Sequence, residues 1–356
     1  MSTIKDVAKM AQVSTTTVSR YLNEFPNIRP ETRERIASAI SVLNYRANVA
    51  ARGLVTKSTR TIGVVASTDV DDFFDNPFFM HVLKGISRAA VQHRYDVLLS
   101  TVTGKEGELL SDWIHGHRVD GIVLMKSRVD DPTLKMFACE RFPAVLLGRP
   151  HGDEQVDYVD NDNVEAALRA TQYLIELGHL DIAFIGGSRE MVVTEDRLKG
   201  YREALRQAAE PVHEEYVKVG QYAKQTGYDL CSQLLRLRRP PTAIVASDDI
   251  IATGALQAAH QLGCKVPQEL SIIGFNDIPA SEFTIPPLST VRVHMERLGD
   301  GVAQLLFDRV QDPQQPARHL IIKTEIVVRN STTIAPRRSQ QPPARGRGHE
   351  AVAPPL

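Results

Sequence analysis

Residues 3–23 read TIKDVAKMAQVSTTTVSRYLN, and two short amphipathic helical patterns meet within this stretch at residues 12–14. In the first pattern, apolar residues recur at helical spacing, and Thr3 with Asp6 three positions later is a short variant of the capping box. In the second pattern, Ser14 stands at the N-cap position, and the apolar residues face back toward the first helix. The spacing predicts a helix-turn-helix.

The outer face of the second helix would carry small hydroxyls and one guanidinium, those of Thr15, Thr16, Ser19 and Arg20. Such groups suit base edges and phosphates in a DNA major groove. An ordinary helical hairpin with a polar surface has the same pattern, so the motif alone leaves both interpretations open. A third amphipathic helix is expected from Pro30, and a short, weakly helical segment follows at residues 49–54.

Charge is distributed unevenly along the 356 residues, which is more than one domain usually needs. The formal net charge is −1, but the first sixty residues carry ten basic and four acidic side chains. The remaining chain is therefore acidic. A basic arm attached to an acidic body is typical of a phosphate-binding module joined to another domain.

Three cysteines, Cys139, Cys231 and Cys264, stand far apart in apolar contexts. Without a CxxC or a Cys/His cluster, reduced core thiols and no metal or cofactor are expected. The two histidines His115 and His117 have no third ligand nearby in the sequence. No signal-peptide run or membrane-spanning window is present, so a cytoplasmic protein is expected.

From residue 60 onward, short apolar runs alternate with amphipathic helices. This alternation predicts doubly wound parallel sheets of the α/β class. A polar loop is expected between the first strand and a helix at residues 77–94. Two similar sets of strands predict two lobes with a cleft at the carboxyl ends of the strands. The predicted strands lie at residues 61–66, 96–100, 121–125 and 144–147, then 182–185, 216–219, 243–246 and 271–275.

Several spaced sequence segments resemble the headpiece and hinge of the lac/gal repressor (LacI/GalR) family, and the resemblance continues to about residue 334. These segments are DVA at 6–8, VS at 13–14, TVSR at 17–20, LN at 22–23, TR at 32–33, LNY at 43–45 and ARGL at 51–54.

The resemblance implies a helix-turn-helix headpiece, a hinge and a two-lobed body like a periplasmic binding protein. It also implies that strands beyond residue 289 cross back between the lobes. The Pro- and Arg-rich tail cannot bury a core and is expected to be disordered. The expected boundaries are 1–47 for the headpiece, 48–59 for the hinge, 60–161 with 291–320 for the N-terminal lobe, 162–290 with 321–335 for the C-terminal lobe, and 336–356 for the tail.

By resemblance, the chain is a transcriptional regulator that binds a palindromic operator as a homodimer, because one small headpiece makes too few contacts. The tail lacks the leucine heptads of tetrameric relatives. Leu54 matches a leucine that relatives insert into the minor groove, although it could instead pack onto the body. Thr15, Thr16 and Arg20 would read bases. The residues implied nearer the DNA backbone are Ser14, Thr17, Ser19, Asn23 and Arg52.

Candidate effector residues follow the ends of predicted strands. An aromatic face beside polar groups suits a sugar ring, although Phe78 and Phe79 could equally be core residues of a helix start. Arg197 matches a ligand-binding arginine of the family, with a solvated helix arginine as its alternative. Asp249 and Asp277 are expected to be helix caps. The full predicted set is Asp69, Asn76, Phe78, Phe79, Arg149, Asp160, Arg197, Tyr222, Asp248 and Asn276.

Residues 147–150 and 159–162 resemble the maltose-type members of the family, which implies a maltose, maltodextrin or other α-glucoside effector. A sugar-acting enzyme is the competing class, since Asp160, Asp162, Asp248 and Asp249 could include an acid/base pair. No Walker loop, nucleophile elbow or HExxH motif is present, which favours an allosteric sugar-operon repressor over an enzyme. A periplasmic transport receptor would lack the basic headpiece. The sequence leaves open whether effector weakens or strengthens DNA binding.

Overall fold

The computed structural model describes residues 2–22, 25–45, 58–152 and 155–336, apart from the side chains of residues 138 and 139. The chain divides into two compact units, Met1–Arg60 and Thr61–Leu356. Several predictions fall outside the described residues: Asn23, Arg52, Leu54, the side chain of Cys139, the short helix at 49–54 and the tail beyond residue 336. Within the described part of the chain, no helix is long and apolar enough to cross a membrane.

The first unit contains the helices α1 (Ile4–Ala11), α2 (Thr15–Leu22) and α3 (Pro30–Val42). The predicted capping box is confirmed: the Thr3 N–H donates to Asp6 Oδ2 at 2.8 Å, and the Asp6 N–H donates to Thr3 Oγ1 at 3.4 Å. Ser14 Oγ accepts the N–H of Thr17 at 3.1 Å, as the N-cap prediction requires. Local sequence therefore determines where α1 and α2 begin.

Each of these helices is too short to be stable alone. Their apolar faces instead meet in one small core, so that helix formation depends on packing. The core residues are Val7, Ala8, Ala11, Val18, Ile36 and Ala39.

The first lobe of the body is a six-stranded sheet in the order β11-β5-β4-β3-β1-β2, and all neighbouring strands are parallel. Alternate residues of β1 pack into opposite clusters: Ile62 and Val64 on one face, Val65 on the other. Helices therefore cover both faces. The strands are β1 (Thr61–Ala66), β2 (Asp96–Thr101), β3 (Gly121–Leu124), β4 (Ala144–Leu147), β5 (Asp157–Asn161) and β11 (His319–Ile322). The helices are α4 (Val70–Asp75), α5 (Pro77–His93), α6 (Glu106–His115), α7 (Pro132–Glu140) and α12 (Met295–Gln311).

The second lobe repeats this plan in the order β12-β10-β9-β8-β6-β7, with β12 antiparallel to β10 and the other pairs parallel. Its strands are β6 (Ile182–Gly186), β7 (Val217–Val219), β8 (Ala243–Ala246), β9 (Ser271–Asn276), β10 (Ser289–Arg292) and β12 (Glu325–Val327). Its helices are α8 (Asn163–Glu176), α9 (Val192–Gln207), α10 (Lys224–Leu234) and α11 (Asp249–Gln261).

The chain crosses between the two sheets three times. It passes from β5 to α8, returns after β10, and crosses again between β11 and β12. The lobe boundaries expected after residues 290 and 320 fall inside β10 and β11, so these crossings follow Arg292 and Ile322.

Three local predictions were wrong. The polar loop expected after β1 contains α4, because Asp69 Oδ1 accepts the Asp72 N–H at 2.8 Å and Phe73 is buried. The N-cap of α11 is Asp248 rather than Asp249.

Asp249 instead lies inside the first turn of α11, where its buried carboxylate accepts hydrogen bonds from the Ile278 N–H and from the hydroxyls of Ser281 and Thr290. Asp277 is also not a cap, because it pairs with Arg292 and Arg329.

Candidate functional site

The outer face of α2 exposes three of the four side chains that the sequence assigned to it, and the fourth, Ser19, is only partly exposed. Thr15, Thr16 and Arg20 are exposed, whereas Val18 on the opposite side is fully buried. Ser14 Oγ and Thr17 Oγ1 lie 2.9 Å apart and hydrogen bond to each other. The Ser14 hydroxyl therefore already makes hydrogen bonds within the helix. Thr15, Thr16 and Arg20 are the side chains of this face that are most exposed to solvent.

A cavity of about 350 Å³ lies between the two lobes of the body, within the size range of small-molecule sites. All ten predicted effector residues line it. Sequence reasoning missed other lining residues, although two of them follow β3 and the rule of strand ends would have found them. The missed polar residues include Asp72, Lys126, Arg128, Asn163, Glu190 and Gln221.

Phe78 and Phe79 satisfy both interpretations made from the sequence. They lie in the first turn of α5 and pack against the core of the first lobe, and they also line the cavity. Their ring centroids are 5.6 Å apart in an edge-to-face arrangement.

The floor of the cavity consists of the buried polar residues Asp160, Asn163, Arg197, Asp248 and Asn276. Arg197 is only 4% exposed, so the alternative interpretation of this residue as a solvated helix arginine was wrong. Its Nε donates to Asn163 Oδ1 at 3.0 Å, and its Nη1 donates to the Ser247 carbonyl. The guanidinium carbon is 4.2 Å from the centroid of the Phe275 ring. Burial lowers the pKa of Arg197 from its ordinary value. Among the described residues, Nη2 has no hydrogen-bond partner.

Asp248 and Asn276 form a second polar pair on the floor. Asp248 Oδ1 accepts the N–H groups of Ile250 and Ile251 at the start of α11, and Oδ2 accepts from Asn276 Nδ2 at 3.0 Å. Asn276 is buried with φ of 101°, a backbone region that strains residues with a side chain. Its Oδ1 is buried, with no hydrogen-bond partner in the described part of the chain. The hydrogen bond to Asp248 thus fixes the Asn276 amide in an orientation that leaves its Oδ1 unpaired.

Asp160 completes the floor at the end of β5. Burial raises the pKa of its carboxyl group to about 7. Its Oδ1 accepts hydrogen bonds from the Asn161 N–H at 2.8 Å and from Asn163 Nδ2 at 3.0 Å. Tyr222 also lines the cavity, and its hydroxyl lies 2.9 Å from Thr194 Oγ1.

Two sets of contacts join the lobes beside the cavity. Arg149, after β4, donates from Nε to Asp196 Oδ2 at 2.7 Å and from Nη2 to Asp196 Oδ1. Arg128 forms an isolated antiparallel bridge with Met191, and its Nη2 lies 3.2 Å from Glu190 Oε2. Both sets link the first lobe to the second at the edge of the cavity.

These features have parallels in known proteins. A family model for bacterial regulatory proteins of the lacI family matches residues 3–48, and one for a periplasmic binding protein-like domain matches residues 171–332. The HTH-type transcriptional regulator CelR of Thermobifida fusca is 36% identical over 332 residues, which are 92% of this chain and 98% of that protein. The chain belongs to the lacI family of bacterial regulatory proteins.

Two solved structures extend the comparison of this lacI-family chain over its length. A complex of the transcriptional regulator CelR with cellobiose has a TM-score of 0.74 and 34% identity, covering 93% of this chain and 100% of that one. The lac repressor dimer bound to operator and the anti-inducer ONPF has a TM-score of 0.81 and 25% identity, covering 93% and 99%.

The comparisons confirm the predicted α/β fold, with its helix-turn-helix headpiece and periplasmic-binding-protein-like body. They also confirm a transcriptional regulator rather than an enzyme.

Proposed function

We propose that this lacI-family regulator binds a palindromic operator as a homodimer and that a neutral glucose-containing sugar in the cleft controls its DNA affinity. Thr15, Thr16 and Arg20 read bases from α2, and Ser14, Thr17 and Ser19 lie nearer the phosphates. The exposed hydroxyls and guanidinium of this face support that role. The structure of the lac repressor as a dimer bound to operator supports the proposal that this chain binds operator DNA as a homodimer.

The observation that carries the effector proposal is the unsatisfied Oδ1 of buried Asn276, in a cavity where Arg197 has Nη2 to donate. An acceptor and a donor on one floor fit a sugar ring with neighbouring hydroxyls. Leaving such a buried group without a partner costs about 1–3 kcal/mol. A bound hydroxyl would recover much of that cost.

A neutral ligand is favoured because the charges around the cavity largely offset each other. Arg149 pairs with Asp196, Arg128 pairs with Glu190, and the pKa of Asp160 is raised toward neutrality. A neutral ligand leaves these pairs intact and adds no uncompensated charge to the cavity.

For the identity of the sugar, we propose maltose, a maltodextrin or another α-glucoside. Its support is the resemblance of residues 147–150 and 159–162 to maltose-type members, together with the paired rings of Phe78 and Phe79 at the cavity. The CelR–cellobiose complex supports a glucose disaccharide as effector, although cellobiose has the β-linkage. Maltose and cellobiose therefore belong in the same experiment.

The test is a fluorescence-anisotropy titration of a family-type palindromic operator at fixed salt, since phosphate contacts make affinity salt-dependent. The full-length protein is titrated alone and with maltose, maltotriose, cellobiose or glucose. We expect a glucoside to change operator affinity by roughly 5–150-fold, the range of typical allosteric coupling. Binding altered by cellobiose alone would reject the α-linkage, and binding that none of these sugars alters would reject the glucoside effector.

A further inference from the structure

The polar groups that line the cavity form two layers that differ in burial. The floor consists of buried residues, namely Asp160, Asn163, Arg197, Asp248 and Asn276. The rim consists of residues open to solvent in whole or in part, namely Asp69, Asp72, Lys126, Glu190 and Gln221. A sugar ring held by the floor would leave the rim groups facing whatever is attached to that ring.

Lys126 is the unusual member of the rim. It follows β3, and burial lowers the pKa of its ammonium group. Within the described ranges it has no hydrogen-bond partner and no carboxylate within 4.0 Å of its nitrogen. An ammonium that is partly removed from water without a partner is costly, so the site gains when a ligand oxygen accepts from it.

Asp69 and Asp72 supply acceptors on the same rim. Asp69 Oδ1 is occupied by the N-cap of α4, which leaves Oδ2, and Asp72 is exposed. Both carboxylates act electrostatically on Lys126. The ammonium can donate to ligand hydroxyl groups and the carboxylates can accept from them, whereas the carboxylates and nearby Glu190 disfavour an anionic substituent.

We propose that this rim is a second sugar subsite, that Lys126 is its specificity-determining residue, and that the effector is therefore a neutral disaccharide. The first ring occupies the floor, and the second ring lies between Lys126, Asp69 and Asp72. The inference rests on the proposed function, because it requires that the floor binds a sugar.

Isothermal titration calorimetry of the full-length protein with glucose, glucose 1-phosphate, maltose and cellobiose tests the subsite. The wild-type chain should bind one disaccharide at least tenfold more tightly than glucose. Lys126→Met keeps the apolar stem and should remove that advantage, while glucose affinity stays within twofold. Lys135→Met, at an exposed position on α7 of the same lobe, is the matched control and should change neither affinity.

Asp72→Asn, a second rim variant, should likewise lower disaccharide affinity and spare glucose. An equal loss for glucose and disaccharide in both rim variants, or no loss for the disaccharide, would overturn the subsite. Tighter binding of glucose 1-phosphate than of any disaccharide would overturn the neutral assignment. If the wild-type chain bound glucose as tightly as either disaccharide, only the subsite would fail; if it bound no sugar, the proposed function itself would fail.

Discussion

Arg149 in the first lobe and Asp196 in the second form a bidentate ion pair, in which Nε and Nη2 donate to separate carboxylate oxygens. The Asp196 side chain is 5% exposed and that of Arg149 is 38% exposed. Because the partners belong to different lobes, opening of the cleft would break this pair. We therefore expect the pair to favour the present arrangement of the lobes over a more open one.

Asp196→Asn should weaken effector binding, since one charge of the pair that favours closure is removed. Arg149 is partly solvated, so the loss should be about 1–2 kcal/mol, or about 5–30-fold in affinity. Calorimetry with the sugar that proves active measures it. Glu214→Gln, which removes the carboxylate of the exposed Arg202–Glu214 pair in the second lobe, is the control. An effector affinity equal to that of the wild-type chain would show that the pair does not control closure.

Asn276→Gly should lower effector affinity by roughly tenfold or more, because a buried acceptor is removed from the floor. Glycine tolerates the positive φ of this position without strain, so the fold should be preserved. Thermal unfolding of the ligand-free protein checks the fold, and calorimetry checks the affinity. Full affinity in a stable variant would exclude the Asn276 side chain from the effector site.

Arg20→Ala should reduce discrimination between operator and random DNA. A specific arginine contact to a base contributes about 1–3 kcal/mol, whereas sequence-independent binding depends on the phosphate contacts that remain. Anisotropy titrations with both DNAs at one salt concentration measure the ratio. Arg35→Ala, at an exposed position of α3, is the matched control. An unchanged ratio for Arg20→Ala would exclude base readout by this side chain.

His179 should make the body less stable in mild acid. It is fully buried, its Nδ1 lies 2.9 Å from Thr242 Oγ1, and its Nε2 lies 3.1 Å from Ser271 Oγ and 3.0 Å from the Thr333 carbonyl. Burial lowers its pKa from the ordinary value. The unfolded chain therefore binds this proton first as pH falls below about 6.5, and stability is lost.

Asp160 and Asp249 act in the opposite direction. Their pKa values are raised to about 7 by burial, so their contribution to stability is lost as pH rises through that value. The effect of His179 is therefore isolated by comparing variants. Between pH 7 and pH 5.5, the urea-unfolding free energy of His179→Gln should fall less than that of wild type, and His151→Gln, at an exposed position, should match wild type. Parallel pH dependence in all three would contradict the assignment.

The helix-turn-helix and the α/β class could be predicted from the sequence because their signals are local. A capping box such as Thr3 with Asp6 spans only four residues, and a buried parallel strand is recognisable from its own short run of apolar residues. The rule of strand ends, together with the family resemblance, selected ten residues that all line one cavity. These predictions required no knowledge of which distant segments meet.

Only the tertiary structure decided the roles of side chains whose hydrogen-bond or ion-pair partners lie far away in the sequence. Adjacent Asp248 and Asp249 look alike in sequence, but only the packing of β10 and the loop after β9 turns Asp249 into a buried acceptor and leaves Asp248 as the cap. Arg149 and Asp196 lie 47 positions apart, and no local pattern pairs them. The unsatisfied oxygen of Asn276 is likewise defined by the groups around it. Local propensities specify the elements of this regulator, whereas the polarity of its cleft arises only where the two lobes meet.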